Sequence, residues 1–129
     1  MEKTKSPNLK EILVVEDDRY TNELISSTMK MGGFSVVSVF SGEQAIEAVN
    51  KHLPDLIVLD FLLPEMDGWE VCRILRKEGA PTRKIPIVIA SVVSRFDIEQ
   101  AGGSMGTLSF FNKPFEPADL IKEVERIVG

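Results

Sequence analysis

The sequence predicts an α/β fold: a five-stranded parallel sheet, doubly wound as (βα)5, with helices on both faces. Three observations predict it. Five short apolar runs alternate with five stretches of helical spacing, with no linker, low-complexity tract or internal repeat between them. That alternation implies right-handed crossovers and a parallel sheet covered on both sides. The runs Asp55-Leu-Ile-Val-Leu-Asp60 and Ile85-Pro-Ile-Val-Ile-Ala90 lack the polar–apolar alternation of a half-wet strand, as buried parallel strands do. Finally, Glu16, Asp17, Asp60, Ser91 and Lys113 all fall at the carboxyl ends of predicted strands. That is the edge where doubly wound sheets bind ligands.

Residues 1–9 read as a flexible polar arm and residues 10–129 as the domain. The β-branched run Glu11-Ile-Leu-Val-Val15 predicts the first strand, which ends in Glu16, Asp17 and Asp18. A helix follows from Arg19 to Met31, with Tyr20, Leu24, Ile25, Thr28 and Met29 at helical spacing and Gly32-Gly33 as its stop. Phe34 to Phe40 is strand-like. Ser41 then starts a helix whose inner stripe is Ala45, Ile46 and Val49, ended by Leu53-Pro54. The Asp60 strand runs into Phe61-Leu-Leu-Pro64-Glu-Met-Asp67-Gly68, where Pro and Gly end regular structure, and Gly68 to Lys77 reads as the third helix. The strand Ile85 to Ala90 delivers Ser91. Arg95 to Met105 is the weakest helix, expected to be short and mobile, because Gly102 and Gly103 each cost about 1 kcal/mol relative to Ala. Thr107 to Asn112 is the last strand and Glu116 to Val128 the last helix, apolar at Leu120, Ile121, Val124, Ile127 and Val128.

Composition narrows the function. A chain of 129 residues with 43% hydrophobic and 27% charged residues is an ordinary globular domain. No apolar run approaches the roughly twenty residues of a membrane span, and the first residues lack a signal peptide's apolar middle. A cytoplasmic location is expected, with no membrane insertion. A net charge of −5 is the wrong sign for direct nucleic acid binding. The single Cys72 excludes an internal disulfide and reads as a buried or half-buried thiol; the single His52 reads as a surface cap on the second helix.

The polar edge carries the chemistry. Three converging carboxylates repel unless a proton or a cation neutralises them. Hard oxygen donors with no nearby His or Cys favour Mg2+ or Mn2+ over zinc. Asp60, placed beside such an ion, is able to attack phosphorus and form an acyl phosphate, with the Lys113 ammonium and the Ser91 hydroxyl meeting the incoming charge. Taken singly, each of these residues has a plainer role as a cap, a turn residue or a solvated charge. Rival chemistries lack their parts: no glycine-rich phosphate loop follows the first strand, no Ser–His pair is evident, and no second aspartate stands two positions after Asp60.

The residues resemble the receiver domain of bacterial two-component response regulators, from about Glu11 to Val128. Ile12-Leu-Val-Val-Glu16-Asp17-Asp18 is similar to that family's acidic opening, Leu59-Asp60 through Gly68 to its phosphoacceptor stretch, Ile85 through Ser91 to its hydroxyl strand, and Lys113-Pro114-Phe115 to its closing motif. The resemblance implies a flavodoxin-like strand order, 2-1-3-4-5. It also implies that Asp60 is phosphorylated by a sensor histidine kinase or phosphotransfer protein. Glu16, Asp17, Asp60 and the backbone carbonyl of Leu62 would hold magnesium, Ser91 and Lys113 would bind phosphoryl oxygens, and the Lys113-Pro114 bond would be cis. Ser91 and Phe110 would form a switch that alters the surface of the fourth helix, fifth strand and fifth helix, read by an unknown downstream protein. By the same resemblance the domain is a signalling phosphoacceptor rather than an enzyme, limited to its own phosphorylation and dephosphorylation. The sequence ends with the fifth helix, which fits either a stand-alone regulator or a receiver excised from a longer protein.

Two departures shape the expectation. Val92 is bulkier than the small residue usual after the hydroxyl position, and a receiver-like module that binds partners without phosphorylation is the alternative it supports. Leu62 and Val93 are apolar at positions flanking the phosphoryl site, which predicts a long-lived phosphoryl group.

Overall fold

The computed structural model describes residues 9–102 and 109–129. Their elements are β1 (Glu11–Val15), α1 (Arg19–Met31), β2 (Ser35–Val39), α2 (Gly42–Lys51), β3 (Leu56–Leu59), α3 (Gly68–Leu75), β4 (Ile87–Ser91), α4 (Arg95–Gly102), β5 (Ser109–Asn112) and α5 (Pro117–Val128). The strands form one parallel sheet in the order β2-β1-β3-β4-β5, as expected. The order reverses between β1 and β3, whose register pairs Val15 with Leu59. Glu16 and Asp60, each one residue further on, therefore leave the sheet side by side.

Period-two alternation sorts the central strands' side chains into two cores. Leu13, Val15, Ile57, Leu59, Ile87 and Ile89 pack with Ala45, Val49, Val71, Cys72, Leu75 and Ile98 of α2, α3 and α4. Ile12, Val14, Leu56, Val58, Val88 and Ala90 pack with Ile25, Met29, Leu120 and Val124 of α1 and α5. Each large aliphatic so buried contributes about 1.5–3 kcal/mol, so the middle of the sheet is the rigid base on which the strand tips stand.

Several boundaries differ from expectation. In α1 the buried stripe is Asn22, Ile25, Ser26 and Met29, at i, i+3, i+4 and i+7, with Thr28 beside it. Tyr20 and Leu24 lie off that stripe and are 75% and 45% exposed. Helix α3 stops at Leu75 rather than Lys77, because the Thr82 hydroxyl donates to the Leu75 carbonyl (2.8 Å) and takes the acceptor a further turn would have used. Helix α5 starts at Pro117, where a residue without an N–H fits the first turn, and Glu116 stands before it. Phe34 lies outside β2. The polar arm, apart from Leu9, lies outside the described residues, as do Gly103 to Met105 of the predicted fourth helix and Thr107 and Leu108 of the predicted last strand. Cys72 is buried, and His52 is the C-terminal cap of α2, its Nε2 2.8 Å from Glu11 Oε1.

Candidate functional site

The acidic corner starts with β1 and β3. The Asp60 N–H donates to the Val15 carbonyl (3.0 Å), extending the β1–β3 pairing to the point where the carboxylates emerge. Of the three consecutive acids, Asp18 is engaged locally: its Oδ2 accepts from the Thr21 N–H (2.9 Å) and the Thr21 hydroxyl (2.7 Å), capping α1. Those bonds hold its carboxyl below the usual range. Glu16 and Asp17 remain, and with Asp60 they present carboxylate oxygens within 4.8 Å of one another. Glu16 is 2% exposed, Asp60 7%, and Asp17 is exposed. A buried pair thus has a wet third member.

Lys113 closes the corner from the end of β5. Its ammonium donates to Glu16 Oε1 and to Asp60 Oδ2, the latter at 3.4 Å. The Lys113 N–H donates to the Ser91 carbonyl (2.9 Å), and the Lys113-Pro114 peptide is cis, as the resemblance implied. Burial pushes the Glu16 carboxyl above its ordinary value, offset by the bonds from Lys113 and from the Asp18 N–H. For Lys113, burial pulls the ammonium down, but the bond to Glu16 and the charge of Asp60 outweigh it and leave its affinity for a proton raised. The lysine is a fixed cation among an excess of negative charge.

Ser91 is 1% exposed at the tip of β4, on the other side of β3 from Glu16. Its Oγ accepts from the Val93 N–H (3.3 Å), which leaves the hydroxyl proton to donate elsewhere. The loop from Phe61 to Asp67 forms the remaining wall. Asp60 Oδ1 accepts from the Leu62 N–H (3.2 Å), the Gly68 N–H donates to the Phe61 carbonyl (2.9 Å), and Asp67 caps α3 by accepting from the Glu70 N–H (3.0 Å). Gly68 allows this closeness: a Cβ there would lie 2.9 Å from the Phe61 Cα. Phe110 is half-buried in β5, with the Arg95 guanidinium 4.8 Å from its ring centre. The structure therefore brings Glu16, Asp17, Asp60 and Lys113 into one cluster, with Ser91 at the tip of β4 and Phe110 within β5, opposite Ile89.

Two residues escaped the sequence reading. The Asn22 amide, 1% exposed, donates to the Glu16 carbonyl (3.0 Å) and the Val39 carbonyl (2.9 Å). The Asn112 amide donates to the Val93 carbonyl (3.1 Å). The available signal for Asn22 was a polar side chain on the stripe that also carries Ile25, Ser26 and Met29.

The donor set fits a hard divalent cation: three carboxylates crowd one corner, only one ammonium answers them, and no His or Cys joins the cluster among the described residues. A second property of the described residues is that no helix is long and apolar enough to cross a membrane.

Comparison with known proteins agrees with this geometry. Residues 12–125 match the family model described as the response regulator receiver domain. Among curated proteins, the chain is 34% identical over 113 residues to the DNA-binding response regulator MtrA of Mycobacterium tuberculosis, an alignment covering 88% of this chain and 48% of that protein. The chain spans about half the length of the curated relatives it matches. Among solved structures, it is similar to the signal receiver domain of a signal transduction histidine kinase from Syntrophus aciditrophicus, with TM-score 0.81, 32% identity, and coverage of 92% of this chain and 89% of that one. It is also similar to the chemotaxis protein CheY4 of Vibrio cholerae, with TM-score 0.83, 26% identity, and coverage of 92% and 98%.

Proposed function

The chain belongs to the response regulator receiver domain family, and from that premise we propose that it is the phosphoacceptor of a two-component phosphorelay, phosphorylated on Asp60. The observation that carries the proposal is the buried cluster itself, in which Lys113 holds Asp60 and Glu16 together at adjoining strand tips.

Glu16, Asp17, Asp60 and the Leu62 carbonyl would hold magnesium or manganese. Such an ion, when bound, supplies positive charge to phosphoryl oxygens. The chain's own residues do the rest. An Asp60 carboxylate oxygen attacks the phosphorus of a phosphohistidine on a sensor kinase or phosphotransfer protein. The new O–P bond forms as the P–N bond breaks, and the imidazole leaves with the electron pair. Asp60 Oδ1 is oriented by the Leu62 N–H, so the nucleophile is positioned before the donor arrives. The Lys113 ammonium, already on Asp60 Oδ2, meets the transferred charge, and the free proton of the Ser91 hydroxyl donates to a phosphoryl oxygen. The domain takes up and loses a phosphoryl group on its own residue and turns over no separate substrate.

Movement of Ser91 toward that group would free space that Phe110 enters, changing the surface of α4, β5 and α5 offered to a downstream protein. Phe110 has no hydroxyl, so this switch rests on packing and on release of the Arg95 guanidinium from its ring. The phosphate-independent alternative rested on Val92. That side chain is 65% exposed and has room to turn aside, which makes the alternative the weaker reading.

Intact mass after incubation with acetyl phosphate tests the proposal. One added phosphoryl group that requires both magnesium and Asp60, and is absent from Asp60→Asn, is the expected result. No adduct in a protein that binds magnesium would move the reading to the phosphate-independent module.

A further inference from the structure

The acidic corner's backbone is held from behind by a side chain outside the cluster. Asn22 sits on the buried face of α1, one turn in from the Asp18 cap. Its Nδ2 spends both protons on carbonyls from separate parts of the chain: Glu16, where β1 passes into the acidic turn, and Val39, the last residue of β2. Its Oδ1 accepts from the Ser26 hydroxyl (3.1 Å), so every polar atom of the amide is used in a site only 1% exposed. The orientation of the amide is fixed by chemistry, because two carbonyls only accept and the hydroxyl is able to donate. The Val39 carbonyl also accepts from the Glu16 N–H (3.2 Å), so one amide ties both sides of the residue whose carboxylate enters the site.

We infer that Asn22 is a positioning residue for the acidic corner: it sets the backbone from which Glu16 and Asp17 project and thereby the affinity of that corner for a divalent cation. The inference rests on the metal-binding reading of Glu16, Asp17 and Asp60. Glu16 makes the case sharp. Its carboxylate is already committed to Lys113 and to the Asp18 N–H, so it has little freedom to compensate if its own carbonyl moves. Supporting partners of this kind are typically worth about 10–100-fold in metal affinity. A purely structural amide would cost stability when removed and leave affinity unchanged.

Isothermal titration of magnesium into the wild type, Asn22→Leu, Ser26→Ala and Val124→Ala separates these roles. Leucine has the branched side-chain shape of asparagine and lacks both donors. Ser26→Ala keeps those donors, and Val124→Ala opens the α5 side of the core away from the acidic turn. The expected result is a magnesium dissociation constant weakened about tenfold in Asn22→Leu and unchanged in the other two, at a temperature where all four are folded. Faster amide hydrogen exchange at residues 16–18 of Asn22→Leu, with exchange in β4 unchanged, accompanies it. If Asn22→Leu does not fold, Asn22→Ala serves, since it too removes both donors. Wild-type affinity in the Asn22 variant overturns the inference and leaves the metal site standing. Absence of magnesium binding by the wild type overturns the metal reading and the inference with it.

Discussion

Replacing Asp60 with asparagine should stabilise the metal-free protein, although it removes the residue on which the proposed function depends. At an effective dielectric constant of about 20, two like charges no more than 4.8 Å apart repel by at least about 3.5 kcal/mol, and an opposite charge at 3.4 Å attracts by about 5 kcal/mol. Asp60 faces two carboxylates and one ammonium, so its Coulomb balance is slightly repulsive once the exposed Asp17 is discounted for screening. Burial at 7% exposure adds a desolvation cost that a neutral amide largely escapes. Asparagine keeps an oxygen for the Leu62 N–H. The sum is a gain of about 1 kcal/mol, or about 4 °C in Tm for a domain of this size. Urea denaturation in EDTA reads it directly. Magnesium at ten times its dissociation constant should then add about 1.4 kcal/mol to the wild type and much less to Asp60→Asn. A variant less stable than wild type in EDTA, or equal stabilisation of both by magnesium, would refute this account of the corner.

Gly68→Ala should cost about 1–3 kcal/mol, because its Cβ would meet the Phe61 Cα at 2.9 Å; an unchanged urea midpoint would show that the loop yields freely. Burial pushes the Cys72 thiol from 9.0 up to about 11. The unfolded chain therefore loses that proton first as pH rises. Stability is complete well below pH 9 and is lower by about 2 kcal/mol at pH 11, a decline that should be much smaller in Cys72→Ala and that denaturation curves at pH 8 and 10.5 would reveal. Leu62 is 48% exposed beside Asp60, and Leu62→Asn should speed loss of the phosphoryl group several-fold by giving the attacking water a polar contact. Mass spectra taken over time after removal of the phosphodonor would measure it, and an unchanged or longer lifetime would contradict it.

The sheet was readable from the sequence because buried parallel strands announce themselves as uninterrupted apolar runs. Leu56 to Leu59 and Ile87 to Ala90 are each almost wholly enclosed, and nothing but a two-faced sheet accounts for both. The grouping of Glu16, Asp17, Asp60 and Lys113 followed from topology alone, since adjacent parallel strands must end on one edge. Less was legible where a contact depends on distant chain. Spacing placed Tyr20 and Leu24 with the apolar members of α1, but the inner stripe is centred on Asn22 and Ile25, a choice made by where the helix docks against β1 and β2. The stop at Leu75 depends on a hydroxyl seven residues later, and no local signal marks it. Asn22 and Asn112 act through backbone carbonyls, which carry no side-chain signature, so the polar interruption of the α1 stripe at Asn22 was the only trace either left in the sequence.

The central claim is that Asp60 itself carries the phosphoryl group, and borohydride trapping tests it most directly. Protein treated with acetyl phosphate and magnesium is reduced with borohydride, which converts an acyl phosphate to an alcohol, and its peptides are then mapped by mass. The account predicts homoserine in place of aspartate at position 60, only when magnesium is present. Reduction at Asp17 or Glu16 instead, or an unreduced Asp60 in protein whose intact mass shows a phosphoryl adduct, would contradict it.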